Sequence, residues 1–263
     1  MIFNNKIIVI TGASSGIGEA TAKYFAEKGA IIFAMARREA KLIELCKNIS
    51  EGGGKAHYYT VDVSIRNEVE LAISDIISKY QRIDILINNA GYGHFADVGE
   101  SSIDILENLM QVNYFGSIYA TKAVLPFMKT QKSGSIIAIS SIVGLLAFPN
   151  FAGYSASKFA MRAFFTALYH EVKSDGIHVG VIYPSGTATE FFDDPSFNRR
   201  SKFQIYRLQP VIDVVKAIEL SIVAKKPELV RPRQMRLASW FINTFFYFLR
   251  PIMAYLNPRS DET

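Results

Sequence analysis

Short apolar runs of strand length alternate with longer segments of helical period along most of the chain. The apolar runs are rich in Ile and Val and mostly do not alternate with polar residues, which is typical of strands covered on both faces. The predicted strands are Ile7–Ile10, Ile31–Ala36, Ala56–Thr60, Ile83–Ile87, Ser135–Ser140, His178–Tyr183 and, with a weaker pattern, Glu228–Arg231. The predicted helices are Ile17–Lys28, Ala40–Ser50, Glu68–Lys79, Ile103–Met128, Phe159–Ser174 and Val211–Ala224.

This repeated strand–helix–strand order predicts an α/β fold. Right-handed crossovers make it a single doubly wound, Rossmann-like domain with a mostly parallel seven-stranded sheet and helices on both faces. We find no internal repeat, low-complexity tract or linker that would divide the chain into two domains. In a fold of this kind, ligands bind beyond the carboxyl ends of the strands.

Composition narrows the range of functions. The 263 residues are 49% hydrophobic and 20% charged, so the chain can bury a large core. A single cysteine, Cys46, and four scattered histidines leave few ligands, so we expect no metal site and no internal disulfide. The net charge is +5, but no known nucleic-acid-binding motif accompanies it, so we expect no nucleic-acid partner. The short polar N-terminus is unlike a signal peptide and predicts a cytoplasmic protein.

A glycine-rich turn, Thr11-Gly-Ala-Ser-Ser-Gly-Ile-Gly18, joins the first predicted strand to the first predicted helix. Glycine permits the tight turn and lets the backbone approach a pyrophosphate, while the helix N-terminus faces the anion. Glycine is common in any tight turn, but its position between the first strand and the first helix favours a phosphate site. The predicted cofactor contacts here are Gly12, Ser14, Ser15, Gly16, Ile17 and Gly18.

The end of the second predicted strand bears on which dinucleotide is bound. A carboxylate about 20 residues after the glycines would bind the ribose 2′-hydroxyl of NAD. Here Arg37 stands 19 positions after Gly18 (37 − 18), Arg38 follows, and no carboxylate occupies that place in the sequence. A charged hydrogen bond to a 2′-phosphate contributes roughly 1.5–3 kcal/mol, or about 10- to 150-fold in affinity. The sequence therefore predicts NADP(H).

Tyr154 and Lys158 are four positions apart at the start of a long helical segment and so share one face. A Tyr–Lys pair at this spacing is more often exposed on a helix surface. This segment, however, is apolar on nearly all sides, which indicates that the helix is buried. Ser141 also stands at the end of a predicted strand, where ligands bind in a doubly wound sheet. A free tyrosine has a pKa near 10, and lowering it to neutrality takes about 4 kcal/mol. An ammonium about 4 Å away supplies that amount at an effective dielectric near 20. We therefore expect Lys158 to lower the pKa of Tyr154.

Together these motifs resemble the short-chain dehydrogenase/reductase family over roughly residues 5–230. The resemblance rests on Thr11–Gly18, Asn88-Asn-Ala-Gly91, Asn113, Ser141 and Tyr154-x-x-x-Lys158. It implies that Tyr154 is the general acid/base, that Lys158 tunes Tyr154 and anchors the cofactor ribose, and that Ser141 orients the substrate. It also implies that Asn113 supports a water-linked proton relay, and that the protein is a homodimer or homotetramer.

The same resemblance implies further cofactor contacts, from Asp62, Val63, Asn89, Gly91, Tyr154, Lys158, Pro184, Thr187 and Thr189. For Asp62 the alternative is a turn residue after the third strand. The family usually has glycine directly after the proline at position 184, whereas this chain has Ser185 there and Gly186 next.

We divide the chain into a dinucleotide-binding and catalytic domain at 1–232, with a flap at about 188–210, and an aromatic and basic extension at 233–263.

The segment after Thr189 is rich in phenylalanine and predicts a hydrophobic small-molecule substrate. Either these side chains line the substrate pocket or several of them fill the core beneath the flap. They are Phe191, Phe192, Phe197 and Phe203, together with Phe95, Phe148 and Phe151 from other loops.

The aromatic stretch Leu237–Leu249 is thirteen residues long. At 1.5 Å per residue it spans about 20 Å, too little for a bilayer core of about 30 Å. Helical spacing places Leu237, Trp240, Phe241, Phe245 and Phe248 on one side, close to several arginines. Either 231–256 makes a peripheral membrane contact, or the helix packs on its own subunit or a partner.

The sequence thus predicts an NADPH-dependent oxidoreductase that reduces a ketone or aldehyde of a hydrophobic substrate by hydride transfer, with Tyr154 as proton donor. One alternative is an NAD(P)-dependent alcohol dehydrogenase working in the oxidative direction. Another is a non-catalytic NADP(H)-sensing module, although a sensor needs no such set as Asn113, Ser141, Tyr154 and Lys158.

Overall fold

A seven-stranded sheet forms the centre of the structure, a computed structural model that describes residues 2–199 and 208–245. The strands are β1 Ile7–Thr11, β2 Ile31–Ala36, β3 Lys55–Thr60, β4 Ile85–Asn88, β5 Gly134–Ile139, β6 Ile177–Pro184 and β7 Glu228–Arg231. Their order is β3-β2-β1-β4-β5-β6-β7, and every neighbouring pair is parallel. The predicted fold class is therefore confirmed.

Helices cover both faces of this sheet. They are α1 Gly16–Glu27, α2 Glu39–Glu51, α3 Arg66–Tyr80, α4 Ile103–Met110, α5 Gly116–Gln131, α6 Ala152–Val172, α7 Val211–Ala224 and α8 Gln234–Thr244. One core layer joins the sheet to α1, α2 and α7, and the other joins it to α3, α5 and α6. Because both faces are covered, β1, β4 and β6 are buried along their whole length, as their mainly apolar sequences predict.

The chain order reverses between β1 and β4. From β1 the chain proceeds outward to β2 and β3, and it then returns to place β4 on the other side of β1. Ile10 of β1 therefore pairs with Ile87 of β4, so the loops after these two strands emerge side by side. In doubly wound sheets, ligands bind in the crevice that such a reversal opens.

Two predicted helices differ from the structure. The predicted helix Ile103–Met128 is interrupted by a π-helical segment at Gln111–Phe115, which separates α4 from α5. A π turn inserts one residue into the helical repeat, which hydrophobic periodicity cannot reveal. The catalytic helix begins at Ala152 and not at Phe159, so Tyr154 lies in its first turn. The other predicted helices up to Ala224 and the strands agree with the structure to within two residues, whereas the helix predicted from Leu237 begins at Gln234.

The predicted flap and extension are described in part. Residues 190–199 form two short 3₁₀ turns, and positions 200–207 of the flap lie outside the described residues. The extension begins with α8, which is in contact with β7, and residues 246–263 lie outside the described part of the chain. The boundary between 232 and 233 stays a prediction.

Candidate active site

A cavity of about 450 Å³ lies at the carboxyl ends of the strands, where β1 and β4 diverge. This volume falls in the range of small-molecule and cofactor sites. Every residue predicted for the cofactor or for catalysis lines the cavity except Gly18 and Asn113. Distant parts of the sequence thus converge on one site. Within the described residues, no group of three or more His, Cys, Asp or Glu side chains could hold a metal ion.

The glycine turn fits tightly against the loop after β4. Gly12 and Gly16 have φ angles of 65° and 57°, which side-chain-bearing residues rarely adopt. A Cβ at Gly12 would come within 2.7 Å of the Cα of Ala90, so any larger residue would separate the two loops. Gly18 lies behind the turn, where a Cβ would collide with the Gly12 carbonyl. Its role in this structure is close packing, whereas we had expected a direct cofactor contact.

Asn89 holds the turn from the other side. Its side-chain amide donates to the backbone oxygens of Thr11 and Gly12, both at 3.0 Å, and its backbone N–H donates to Thr11 Oγ1 at 3.0 Å. The amide group of Asn89 thus connects the turn after β1 to the loop after β4, and because Asn89 also lines the cavity, its expected contact with the adenosine ribose stays a prediction.

The N-terminus of α1 suits a phosphate group. Ser15 is the N-cap residue, but its side chain makes no capping hydrogen bond to the helix. Instead, Ser15 Oγ accepts a hydrogen bond of 2.6 Å from Arg38. The first amides of a helix need acceptors and carry the positive end of the helix dipole, so an anion in the adjacent cavity would satisfy them. The cavity thus fits the pyrophosphate of a dinucleotide.

Arg38 and Arg37 differ in their surroundings. The Arg38 guanidinium donates to Ser14 Oγ at 3.1 Å and to Glu190 Oε2 at 2.8 Å, which connects the glycine turn to the segment after β6. Arg37 has a side chain that is 72% exposed, and it approaches the carboxylate of Asp62 at 3.7 Å. The sequence showed no carboxylate at this place, but the fold brings two there. The hydrogen bond from Arg38 holds the pKa of Glu190 below its usual value.

Asp62 behaves mainly as a turn residue. Its Oδ1 accepts from both the backbone N–H and the hydroxyl of Ser64, at 2.9 and 2.7 Å. Its backbone N–H donates to Glu68 at 2.8 Å. The alternative considered for this residue therefore describes its side chain, although Asp62 also lines the cavity beside Val63.

The three residues predicted for proton transfer meet at the centre of the cavity. Tyr154 is buried in the first turn of α6, and its hydroxyl is hydrogen-bonded to that of Ser141. Lys158 lies one turn further on, with its Nζ 5.7 Å from the centroid of the tyrosine ring. Lys158 Nζ donates to the carbonyl oxygen of Ile139 at 3.0 Å.

The expected lowering of the Tyr154 pKa by Lys158 is not seen in the structure, and the role of Lys158 in proton transfer stays a prediction. Burial raises the pKa of Tyr154 well above 10, and the hydrogen bond from Ser141 offsets only part of the rise. Burial also lowers the pKa of Lys158 to about 7, so this amine carries only part of a charge at neutral pH. The estimate from charge alone omitted the desolvation of both groups. The phenol is thus held in its protonated form.

The structure distinguishes the two adjacent serines. Ser140 donates to the backbone oxygen of Lys158 at 3.2 Å and so faces α6. Ser141 accepts from the backbone N–H of Val143 at 3.3 Å, and its hydroxyl lies 3.4 Å from the carbonyl oxygen of Pro184. It is therefore the Ser141 hydroxyl, and not that of Ser140, that lies beside Tyr154.

Asn113 is fully buried in the π-helical segment and lies outside the cavity lining. Its side chain accepts from the backbone N–H of Tyr92 and donates to the backbone oxygen of Tyr92 and to Ser157 Oγ, each at 2.9 Å. It thereby fastens the loop after β4 to the catalytic helix. A Cβ at Gly91 would lie only 2.9 Å from Asn113 Oδ1, so glycine is needed there. The proton-relay role of Asn113 stays a prediction.

The predicted phenylalanines divide into two groups. Phe148, Phe151, Phe191 and Phe192 line the cavity, and the ring of Phe191 lies 5.5 Å from that of Tyr154. We call these four residues the phenylalanine wall. Phe95 and Phe197 are each 2% exposed and belong to the core behind it. The core interpretation thus holds for Phe95 and Phe197, and the substrate contact of the other four stays a prediction. Phe203 lies outside the described residues.

Sequence reasoning missed several cavity residues. Glu190 and Met235 line the cavity, but neither stands in a motif. Glu190 reaches Arg38 across 152 positions of sequence, and Met235 reaches the cavity from α8. Only the position of Glu190, directly after Thr189, pointed toward the site.

The depressed pKa of Lys158 predicts how stability depends on pH. An unfolded lysine has a pKa near 10.5, so between pH 7 and 10.5 the unfolded chain binds the extra proton, and stability must rise with pH. For one proton the free energy of unfolding rises by at most 1.36 kcal/mol per pH unit, which amounts to about 2 kcal/mol between pH 7 and 9. We expect urea unfolding to show this rise and Lys158→Met to remove it. Lys173→Met, at the exposed end of the same helix, should retain it; equal slopes in both variants would contradict the assignment.

A glycine turn at the reversal of a parallel sheet, with a Tyr–Lys pair facing it, places the protein among the dinucleotide-binding folds. The family profile described as short chain dehydrogenase matches residues 6–198. The chain therefore belongs to the short-chain dehydrogenase family and is an oxidoreductase of that family.

Relatives and solved structures agree with this assignment. The chain is 39% identical to a 3-ketodihydrosphingosine reductase from Bacteroides thetaiotaomicron over 189 residues, which covers 72% of this chain and 66% of the relative. An alcohol dehydrogenase from Thermococcus sibiricus, solved with 5-hydroxy-NADP, is 26% identical, with a TM-score of 0.75 over 86% of this chain and 96% of that one. A family member from Burkholderia phymatum, solved with NAD, has a TM-score of 0.84 over 100% of this chain and 99% of that one. At 22% identity, the last similarity concerns the fold alone.

Proposed function

We propose that the protein is an NADP(H)-dependent reductase that converts a ketone or aldehyde of a hydrophobic substrate to an alcohol. The observation that carries this proposal is the position of Tyr154. Its buried hydroxyl is hydrogen-bonded to Ser141, and its ring lies 5.5 Å from that of Phe191 in the lining of the same cavity. A proton donor at that place serves a carbonyl group that enters from the apolar side.

The protonated state of Tyr154 is the one that carbonyl reduction requires. Reduction of a carbonyl produces an alkoxide, which needs a proton donor, whereas oxidation of an alcohol needs a base. Since burial raises the pKa of Tyr154, the phenol keeps its proton at neutral pH. The alcohol dehydrogenase alternative would require the phenolate, which the same burial disfavours.

Each residue of the site then has a defined task. The Ser141 hydroxyl binds the carbonyl oxygen, and the Tyr154 hydroxyl transfers its proton to that oxygen as negative charge develops on it. Lys158 Nζ lies 3.3 Å from where a Cβ of Gly91 would stand, so this amine faces the crevice and can hold a ribose hydroxyl. A reduced nicotinamide, when bound, supplies the hydride. The phenylalanine wall excludes water from the reacting carbonyl.

The preference for NADP(H) rests on Arg38. Its guanidinium lies against Ser14 and Ser15 of the glycine turn, where these two hydroxyls and the α1 N-terminus surround the same place. A planar guanidinium suits bidentate binding of a phosphate. Arg37, which is largely exposed, contributes less. To bind the 2′-phosphate, Arg38 must give up its hydrogen bond to Glu190, which reduces the net free energy gained on binding NADP(H).

The substrate class follows from the cavity wall. Phe148, Phe151, Phe191, Phe192 and Met235 give the substrate side an apolar surface. Such a wall binds an alkyl or ring system and leaves the carbonyl to Ser141 and Tyr154. The relative named 3-ketodihydrosphingosine reductase acts, by its name, on a ketone of a long-chain lipid base. A lipid-like ketone therefore heads the classes to be tested.

We also propose that the protein is a cytoplasmic homodimer or homotetramer. The support is a group of exposed aromatic side chains on the helical layer that contains α5 and α6. Phe115, Phe127 and Phe159 are 40%, 43% and 37% exposed. Large exposed apolar groups of this kind often mark subunit contacts. Sedimentation of Phe127→Ser and Phe159→Ser variants would show whether these helices form the interface.

Single-turnover oxidation of NADPH tests the proposed activity. We expect absorbance at 340 nm to fall when long-chain ketones or hydrophobic aldehydes are mixed with enzyme and NADPH, and to change little with short polar ketones. The matching long-chain alcohols with NADP⁺ should react more slowly at neutral pH. Tight NADPH binding without turnover on any carbonyl compound would instead identify a cofactor-sensing module.

A further inference from the structure

Helix α8 presents an apolar face to solvent. Leu237, Trp240, Phe241 and Phe245 are 74%, 63%, 49% and 39% exposed, and their spacing of three and four residues places them along one side of the helix. We call these four residues the α8 apolar face. Eleven residues make a helix about 16 Å long. No described helix is long and apolar enough to span a bilayer.

The chain segment that carries this face has charged residues of a single sign. From Leu229 to Ser260 the sequence contains no aspartate or glutamate. Five arginines occur in the same stretch, at positions 231, 233, 236, 250 and 259. In the structure, Arg233 and Arg236 are exposed at the beginning of α8, directly before the α8 apolar face. An apolar face beside clustered arginines is complementary to a surface that is apolar within and anionic outside.

This charge favours a lipid surface over a second copy of the chain. A symmetric dimer contact places the same patch on both subunits, so it would bring two sets of arginines close together. Like charges across an interface cost several kcal/mol. An anionic bilayer has no such penalty. Tryptophan is also the residue most suited to the boundary between headgroups and acyl chains.

The same helix reaches the active site. Met235 lies in the first turn of α8, two positions before Leu237. Its side chain is half-buried, faces away from solvent and lines the catalytic cavity. We propose that α8 rests in the surface of an anionic bilayer and thereby opens the cavity toward membrane-resident substrate. As far as it concerns the substrate, this inference rests on the proposed reductase activity. The lipid ketone would pass along α8 to Phe148 and Phe151 without crossing water.

The only tryptophan in the sequence, Trp240, provides a direct measurement. We expect its emission to shift to shorter wavelength when the protein is mixed with vesicles of phosphatidylcholine and phosphatidylserine at 7:3, and much less with phosphatidylcholine alone. Brominated lipids should quench it. Raising salt from 0.1 to 0.5 M should weaken binding, since surface charges are then screened.

Two variants locate the contact on α8. Leu237→Ser combined with Phe241→Ser keeps the fluorophore and should reduce vesicle binding at least tenfold, and Arg233→Gln should reduce it severalfold. Leu71→Ser is the matched control, because Leu71 is 61% exposed on α3, away from α8, and this variant should bind as the unchanged protein does. An emission shift without vesicles that grows with protein concentration would show that a second copy covers α8, which would overturn the proposal. No shift under any of these conditions would overturn it as well.

Activity separates this proposal from that of the reductase. With a ketone dissolved in water, the Leu237→Ser/Phe241→Ser variant should retain its kcat. With a long-chain ketone embedded in anionic vesicles, it should lose at least tenfold in rate. No turnover of either substrate would refute the reductase, while the tryptophan shift would still decide the membrane contact. Equal rates of the variant and the unchanged protein on the embedded ketone would refute delivery through α8.

Discussion

Replacement of Tyr154 by phenylalanine should reduce kcat for carbonyl reduction by about 10²- to 10⁴-fold, the usual contribution of a positioned general acid. The ring would keep its contacts with Phe151 and Phe191, so the cavity should retain its shape. Only the hydroxyl is lost, and with it the proton that Tyr154 delivers to the developing alkoxide. NADPH affinity, measured by fluorescence titration, should change by less than about threefold.

The control for Tyr154→Phe is Tyr169→Phe on the same helix. Tyr169 lies near the end of α6, where its ring contacts His170 and Lys173, and it does not line the cavity. Losing this hydroxyl should leave both kcat and NADPH binding unchanged. If Tyr154→Phe retained more than a tenth of the activity, the proton would have to come from another group, and the assignment of Tyr154 would fail.

The second large effect concerns the choice of cofactor. Arg38→Ser should weaken NADPH binding by about 10- to 150-fold, the value of a charged hydrogen bond, and leave NADH binding nearly unchanged. Arg38→Lys should recover only part of the loss, since an ammonium keeps the charge but lacks the planar fork. Arg37→Ser should have a smaller effect, because that side chain is 72% exposed. Titration of each variant with both cofactors provides the measurement.

A substitution of Glu190 provides a further test of the role of Arg38 in cofactor choice. In the structure its carboxylate accepts from Arg38 at 2.8 Å and so competes with any other anion for that guanidinium. Glu190→Gln should therefore tighten NADPH binding severalfold without strengthening NADH binding. Equal affinity of the unchanged protein for both cofactors, with no response to Arg38→Ser, would show that the enzyme does not discriminate at the 2′-position.

Local pattern was sufficient for most of the fold. Unbroken apolar runs indicate strands buried on both faces, and β1 and β4 are indeed wholly buried. The glycine turn was recognisable because Gly12 and Gly16 must adopt positive φ angles. The interruption of the helix at Gln111–Phe115 was not recognisable, since an extra residue in one turn leaves the apolar spacing on either side intact.

What the sequence could not supply were contacts and solvation. The pairing of Arg38 with Glu190 joins two exposed loops, and no spacing rule connects them. The pKa values of Tyr154 and Lys158 depend on burial, which a Tyr–Lys spacing does not reveal. The role of Met235 required the position of α8 over the cavity. Residue types could thus be assigned to the site, but their protonation and partners could not.

Two asparagine side chains have a combined consequence for how the site works. Asn89 joins the turn after β1 to the loop after β4, and Asn113 joins that same loop to α6. The scaffold on which the cofactor would lie and the helix that carries Tyr154 are therefore crosslinked by amides through one short stretch of backbone. Their mutual alignment is established during folding, so the free energy of cofactor binding is not reduced by the cost of ordering them. The hydride donor and the proton donor are then already aligned when the reaction begins.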